Sequence, residues 1–207
     1  VIYCAGEQGK VVLDILRARN GHDDVVFIDD DPSLHGKSVA ETPVIGGLDA
    51  ISERSEQTIQ TIIAYGDRPD VRLDIAEKLS KIDSGFFNAI HPATTVSDTA
   101  VLNQGITVNG QSYIGPYCEI GNHVIVDSCV NLSHDCILRE GVTITPSVSL
   151  AGGVEIGQNS YIGPNATIVE NVTIGENVIV GAGSVVTEDI PPEKTVMGVP
   201  ASSVETE

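Results

Sequence analysis

Two architectures in series are predicted by this sequence. A small parallel α/β sheet with helices on its faces covers residues 1–88, and a parallel β-helix of hexapeptide repeats covers residues 89–207, closing in a short tail. Three observations carry this. From Ile90 to Val186 every sixth residue, 17 positions in all, is Ile, Leu or Val. Before Ile90 the pattern instead alternates short apolar runs with stretches of helical spacing. Only 4% of the 207 residues are aromatic, with no Trp and 21 Gly, so something other than rings fills the interior.

In the first half, Ile2-Tyr3 ends in the Gly-bearing turn Cys4-Ala5-Gly6-Glu7-Gln8-Gly9. A helix over 10–20 follows, with Val11, Val12, Ile15 and Leu16 on one face. Residues 25–28 read as a strand that stops at the acidic turn Asp29-Asp30-Asp31-Pro32. Pro43-Val44-Ile45-Gly46-Gly47 is a short apolar run between breakers. A strand over 61–65, a helix over 69–81 and a last strand over 86–90 complete the alternation. Alternation of this kind makes a parallel sheet, because parallel neighbours need a crossover between them.

In the second half each hexad supplies one short strand and one turn. Three hexads close a triangular coil, and coils stack roughly 4.8 Å apart. Four residues after each aliphatic comes a second, usually small residue, as at Thr94, Ala100, Ser112, Cys118, Val124, Val130, Cys136 and Val142. Stacked aliphatics leave little room for rings, which accounts for the aromatic poverty. A β-sandwich of short strands would not hold an unbroken period of six.

Charge excludes whole classes of partner. With 11 basic and 29 acidic side chains the formal net charge is −18. Nucleic-acid binding draws on clustered Lys and Arg, and a membrane-surface anchor on a polybasic run, so neither is expected. No apolar stretch approaches the roughly 18 residues of a membrane span. The four cysteines fit no metal spacing such as CxxC, and reduced thiols in the cytoplasm are expected. The acidity is uneven: residues 1–82 hold nine basic and fifteen acidic groups, −6, while 83–207 hold two and fourteen, −12.

Hexads of the form [LIV]-G-x-x-[small]-x, such as Ile156-Gly157-Gln158-Asn159 and Ile174-Gly175-Glu176-Asn177, resemble those of the left-handed β-helix acyltransferases. The resemblance narrows with the ordered set Ile2-Tyr3-Cys4-Ala5-Gly6-Glu7-Gln8-Gly9-Lys10, Pro43-Val44-Ile45-Gly46-Gly47, Ala64-Tyr65-Gly66-Asp67, Ile90-His91-Pro92 and His134-Asp135-Cys136. With Gly198-Val199-Pro200-Ala201 at the end, it spans essentially the whole chain. It points to the bacterial sugar O/N-acetyltransferases, a family that includes sialic acid O-acetyltransferases and N-acetyltransferases of nucleotide-linked amino sugars.

That resemblance implies a Rossmann-like N-terminal domain holding a sugar nucleotide and a left-handed β-helix. It also implies a homotrimer with acetyl-CoA, as cosubstrate, in a groove between neighbouring β-helices. The activity implied is N-acetylation of a nucleotide-linked amino sugar, of the 4-amino-4,6-dideoxy kind, in surface polysaccharide or glycan biosynthesis. O-acetylation of sialic acid or another free sugar is the alternative, and a non-catalytic β-helix scaffold a further one. The substrate site is expected at Gly6, Gln8, Gly9, Lys10 and Gly66, where a helix start and its turn offer backbone N–H groups, and at Asp29 and Asp30 after the second strand.

His134 is the expected base. In the hexad Leu132-Ser133-His134-Asp135-Cys136-Ile137, Leu132 and Cys136 point inward, which leaves the imidazole on the outward turn. A bare surface His is normally solvated, but the family motif makes it the group that takes the proton from the attacking amine or hydroxyl, with Asp135 orienting it. His91 is expected to be structural and His123 a turn residue. No metal is expected, since three converging histidines are not available. Cys118 and Cys136 belong to the inner column, so direct transfer is expected rather than an acyl-cysteine.

For acetyl-CoA the expected contacts are Thr143, the backbone N–H of Gly152 one coil above His134, Gly181 and Ala182 at the pyrophosphate, and Lys194. Arg139 is the only other cation after residue 82. Several positions depart from the family pattern. Cys4 stands where Gly is usual, Glu7 brings a negative charge to the phosphate turn, Asp127 replaces a frequent Asn, and Thr143 replaces a second His. The unbroken register leaves no room for an extruded substrate loop, so the N-terminal domain is expected to grip a large nucleotide-linked sugar.

Overall fold

The computed structural model describes residues 1–19, 24–52, 59–66, 68–82 and 84–204. Asn20 of the predicted first helix, Asp67 of the Ala64-Tyr65-Gly66-Asp67 motif and the last three residues of the tail lie outside them.

The first elements are β1 (Ile2–Tyr3), α1 (Glu7–Ala18), β2 (Phe27–Ile28), a hairpin of β3 (Ser38–Val39) and β4 (Thr42–Pro43), α2 (Asp49–Ser52), β5 (Gln60–Ile63), α3 (Pro69–Ser80) and β6 (Gly85–Phe86). Strands β2, β1, β5 and β6 lie in that spatial order, all parallel. Side chains alternate across such a sheet. Ile2, Phe27 and Ile62 therefore pack under α1 with Val12, Leu13, Ile15 and Leu16, while Tyr3, Ile28 and Ile63 face α3 with Ile75, Ala76 and Leu79.

The strand order changes direction between β1 and β5, so α1 and α3 leave on opposite faces. That geometry opens a crevice beyond the carboxyl ends of these two strands. The predicted strand over 86–90 is split: Gly85–Phe86 joins the α/β sheet, whereas Ala89–Ile90 is the first rung of the solenoid. A two-residue strand suffices where each coil has corners every six residues.

From Ala89 onward the chain winds about six left-handed turns of β-solenoid. Its three sheets have eight, six and five strands. Partners lie 18 residues apart, Val108 with Val126 and Val126 with Ile144, so three hexads make one coil. The aliphatic column is fully buried from Val108 to Val186. The small column is buried beside it, and two of its serines donate to a carbonyl 15 residues on: Ser112 Oγ to Asp127 at 2.6 Å, Ser160 Oγ to Gly175 at 2.7 Å. Cys118 and Cys136 are 0% exposed there, and Cys118 Sγ donates to the Ser133 carbonyl at 2.9 Å.

A third column has the same period. Every sixth residue from Gly105 to Gly183 has positive φ: Gly105, Gln111, Tyr117, His123, Cys129, Asp135, Gly141, Ser147, Gly153, Asn159, Asn165, Asn171, Asn177 and Gly183. This left-handed residue turns each corner, and its N–H bonds to the coil below, as Asp135 to Pro116 and Gly153 to His134. Among the described residues no helix is long and apolar enough to cross a membrane.

Candidate active site

A cavity of about 640 Å³ occupies the crevice beyond β1 and β5. Of the seven expected substrate residues it gathers five: Gly6, Gln8, Asp29, Asp30 and Gly66. The N-terminus of α1 is capped by Gly6 without a side-chain bond, which leaves its first N–H groups facing this space. Gly9 and Lys10 do not line it. A Cβ on Gly9 would stand 2.3 Å from the Cys4 carbonyl oxygen and 3.0 Å from Phe27, so this glycine lets α1 pass close beneath the turn. Lys10 Nζ pairs with Glu7 at 2.7 Å on the exposed helix surface. It answers the charge that Glu7 brings and does not enter the cleft.

The two aspartates are held by the fold. Asp29 Oδ2 accepts the Ala5 N–H at 2.7 Å and its Oδ1 the Asp31 N–H at 2.9 Å, so this carboxylate ties the turn after β1 to the one after β2. Asp30 accepts the Tyr3 hydroxyl at 2.8 Å. Burial first, then that bond, pushes the Tyr3 hydroxyl pKa up. Cys4 takes a left-handed φ of 77°, the conformation that makes Gly the easier residue here. Burial, with Asp29 and Asp30 adding to it, pushes its thiol up to about 12.

Sequence reasoning missed part of this wall. Tyr3, Tyr65, Val71, Asp74, Ile75 and Lys78 also line the cavity. The last four are spaced i, i+3, i+4 and i+7 on α3, a legible helix face. Lys78 is the one cation among the described lining residues, against Glu7, Asp29, Asp30 and Asp74.

His134 stands on its solenoid corner with 63% of its side chain exposed. Its Nδ1 lies 2.7 Å from Asp135 Oδ2. With the carboxylate ionised and accepting, Nδ1 is the donor of this pair, and Nε2 has no hydrogen-bond partner among the described residues. Asp135 holds this position because its own backbone sits in the left-handed slot. Beneath the ring is Gly152: a Cβ there would lie 2.4 Å from Cε1 and 2.6 Å from Nε2. Only glycine leaves the imidazole its seat. Among the described residues no carbonyl takes the Gly152 N–H.

The remaining candidates are dispersed. Thr143 is 4% exposed at the junction of the two domains, where its hydroxyl meets Arg72 Nη2 at 2.9 Å, so it is no open groove contact. Gly181 and Gly183 give their N–H groups to the carbonyls of Val196 and Pro164, both at 2.8 Å, which leaves the Ala182 N–H. Arg139 is paired with Glu155. Lys194 is exposed and makes no ion pair among the described residues. Asp127 accepts Asn109 Nδ2 at 2.5 Å and the Ser128 N–H at 2.7 Å. Among the described residues no three His, Cys, Asp or Glu side chains are grouped to hold a metal.

Two families match the chain. Residues 1–79 match the family described as PglD N-terminal domain, and residues 135–169 and 153–188 match bacterial transferase hexapeptide (six repeats). The perosamine N-acetyltransferase PerB of Caulobacter crescentus, solved in complex with CoA and GDP-perosamine, is 32% identical with a TM-score of 0.92, covering 99% of this chain and 96% of its own. The chain belongs to the hexapeptide-repeat sugar acetyltransferases. Another member solved in complex with acetyl coenzyme A, the acetyltransferase domain of PglB from Neisseria gonorrhoeae, is 32% identical with a TM-score of 0.93 over 98% of this chain and 97% of its own. A serine acetyltransferase of Bacillus pumilus is 31% identical over 146 residues. The chain spans about half the length of the curated relatives it matches.

Within this chain the cavity walls come from the N-terminal domain alone, and His134 is not among them. The cleft and the exposed imidazole are separate features of one chain.

Proposed function

We propose that this protein transfers the acetyl group of acetyl-CoA to the amino group of a nucleotide-linked amino sugar, of the 4-amino-4,6-dideoxy class, in the cytoplasm. One observation carries the reading: an exposed imidazole, held over Gly152 by Asp135, whose Nε2 is free to take a proton. The sugar nucleotide lies in the cleft beyond β1 and β5. The N–H groups at the start of α1 and Lys78 face its phosphates, and Tyr65 offers a ring to a base or sugar.

The amine attacks the thioester carbon while His134 Nε2 accepts its proton, and the C–S bond breaks to release CoA, whose sulfur takes a proton back. The Gly152 N–H is placed to stabilise the oxyanion. The Ala182 N–H and Lys194 serve the CoA phosphates. Because cleft and base are separate in one chain, the site is completed by a second copy, in keeping with a homotrimer whose active sites lie between subunits.

The test replaces His134 with Ala and measures acetyl transfer from acetyl-CoA to UDP-, GDP- and dTDP-linked amino sugars. A fall of about 10²-fold or more in kcat is expected. Near wild-type kcat would sink the assigned base. Transfer to a free sugar, with no nucleotide sugar bound, would favour O-acetylation instead.

A further inference from the structure

Arg72 of α3 is 1% exposed, yet it has no carboxylate partner among the described residues. Every acceptor it meets is neutral. Nη1 donates to the Tyr65 carbonyl at 2.7 Å, Nε to the His123 carbonyl at 2.8 Å, and Nη2 to the Gly141 carbonyl at 2.6 Å and Thr143 Oγ1 at 2.9 Å. The Val142 carbonyl lies 3.4 Å away. Burial lowers the guanidinium pKa to about 9, so the group remains a cation at neutral pH.

Burying a cation without a counter-charge is costly even when its N–H groups are bonded, so simple adhesion is a poor reason for it. The rest of this helix face shows the ordinary solution. Ile75, Ala76 and Leu79 follow Arg72 at i+3, i+4 and i+7 and are buried apolar residues. What an aliphatic side chain lacks is the rigid fork, which sends separate donors in separate directions.

The three directions are informative. Tyr65 is on the wall of the sugar-nucleotide cleft. His123 and Gly141 are corners one full coil apart, both with left-handed φ. The coil between them carries His134. One guanidinium thus holds the cleft edge and both ends of the turn bearing the candidate base. Thr143 Oγ1 adds a contact to the Gly66 carbonyl at 3.4 Å, and Phe86 packs edge-on to the His123 ring with centroids 4.5 Å apart.

We infer that Arg72 is a positioning residue, setting the register between the acceptor cleft and the solenoid coil that carries His134. This rests on the proposed function for its kinetic consequence, though the register itself is a property of the fold. Apart from Tyr65, whose carbonyl Arg72 holds, the nucleotide cleft is built within the N-terminal domain and is not governed by Arg72. Placement of the acceptor against the catalytic corners of the trimer is.

The experiment compares Arg72→Met, Arg72→Lys and, as a control for lost stability, Leu79→Ala in the same helix. Nucleotide-sugar affinity, kcat and KM are measured at a temperature where all variants are folded. Arg72→Met should lower kcat about tenfold or more while affinity changes less than threefold. Arg72→Lys should not restore kcat, since one ammonium does not span three segments. Leu79→Ala should lower thermal stability and leave kcat in place.

Hydrogen exchange supplies a readout independent of substrate: Arg72→Met should speed exchange in peptides covering 64–66 and 123–143 together, and Leu79→Ala should not. Unchanged kcat in Arg72→Met overturns the inference, as does a loss shared by Leu79→Ala or a parallel loss of affinity. If the wild type acetylates no nucleotide amino sugar, the functional reading falls, and the exchange pattern alone then decides the register.

Discussion

Replacing Gly152 with Ala tests the proposed catalytic corner while keeping both the imidazole and the Gly152 N–H. The new methyl would lie 2.4 Å from Cε1, 2.6 Å from Nε2 and 3.1 Å from Nδ1 of His134. Carbon contacts settle near 3.5–4.0 Å, so the imidazole must retreat by about 1 Å. The ring is exposed on its outer side and yields into solvent, and the Gly152 backbone lies outside the left-handed region, so Ala is accommodated. Stability should therefore change little. A displacement of about 1 Å at a reacting group costs roughly 10²-fold in rate, about 2.7 kcal/mol in barrier. The assay is steady-state acetyl transfer alongside thermal unfolding. Wild-type kcat in this variant would refute the seating of His134 on Gly152, and a large drop in melting temperature would refute the argument that the ring gives way freely.

Two further outcomes follow from buried groups. Burial, with Arg72 beside it, lowers His123 from 6.5 to about 4, so the unfolded chain binds this proton more readily than the folded one. The resulting stability is fully present above pH 6.5 and is lost as pH falls through about 4, roughly 3 kcal/mol in all, read as the difference between wild type and His123→Asn in denaturant titrations at several pH values. A native alkylation at pH 7.5 should modify Cys129 rapidly, because it is exposed while Cys118 and Cys136 are buried and Cys4 is pushed up to about 12. Two or more fast equivalents by mass spectrometry would contradict that.

The solenoid was legible because a period of six survives any local substitution that keeps an aliphatic inside. The outward placement of His134 and the stacking of Gly152 on it followed from the same count. The α/β domain was legible at the level of its alternation, but element ends moved. Helix α1 begins at Glu7 instead of residue 10 because the Gly-bearing turn itself forms the first helical turn. Arg72 went unread although it carried a signal, a charged residue on the apolar face of α3. Thr143 read as a ligand contact because its position was judged along the solenoid alone, and only the docked helix shows that Arg72 has claimed its hydroxyl. The left-handed column was half visible. Asn at 159, 165, 171 and 177 announces it, whereas Gln111, Tyr117 and Cys129 belong to residue types that give no such notice.

That uneven column sets an order of assembly. In a stack where each coil touches only its neighbours, stability is a sum of repeat and interface contributions, and winding starts where the sum is most favourable. Each corner residue other than Gly, Asn or Asp costs on the order of 1 kcal/mol. The run of Asn corners from Asn159 to Asn177 is therefore the expected seed, with coiling zipping from it towards the costlier corners at Ser147, Cys129, His123, Tyr117 and Gln111. Of these, His123 is held from outside, when α3 arrives and Arg72 takes its carbonyl. A chain whose first domain is unfolded would fray from this end inward, towards the coil carrying His134.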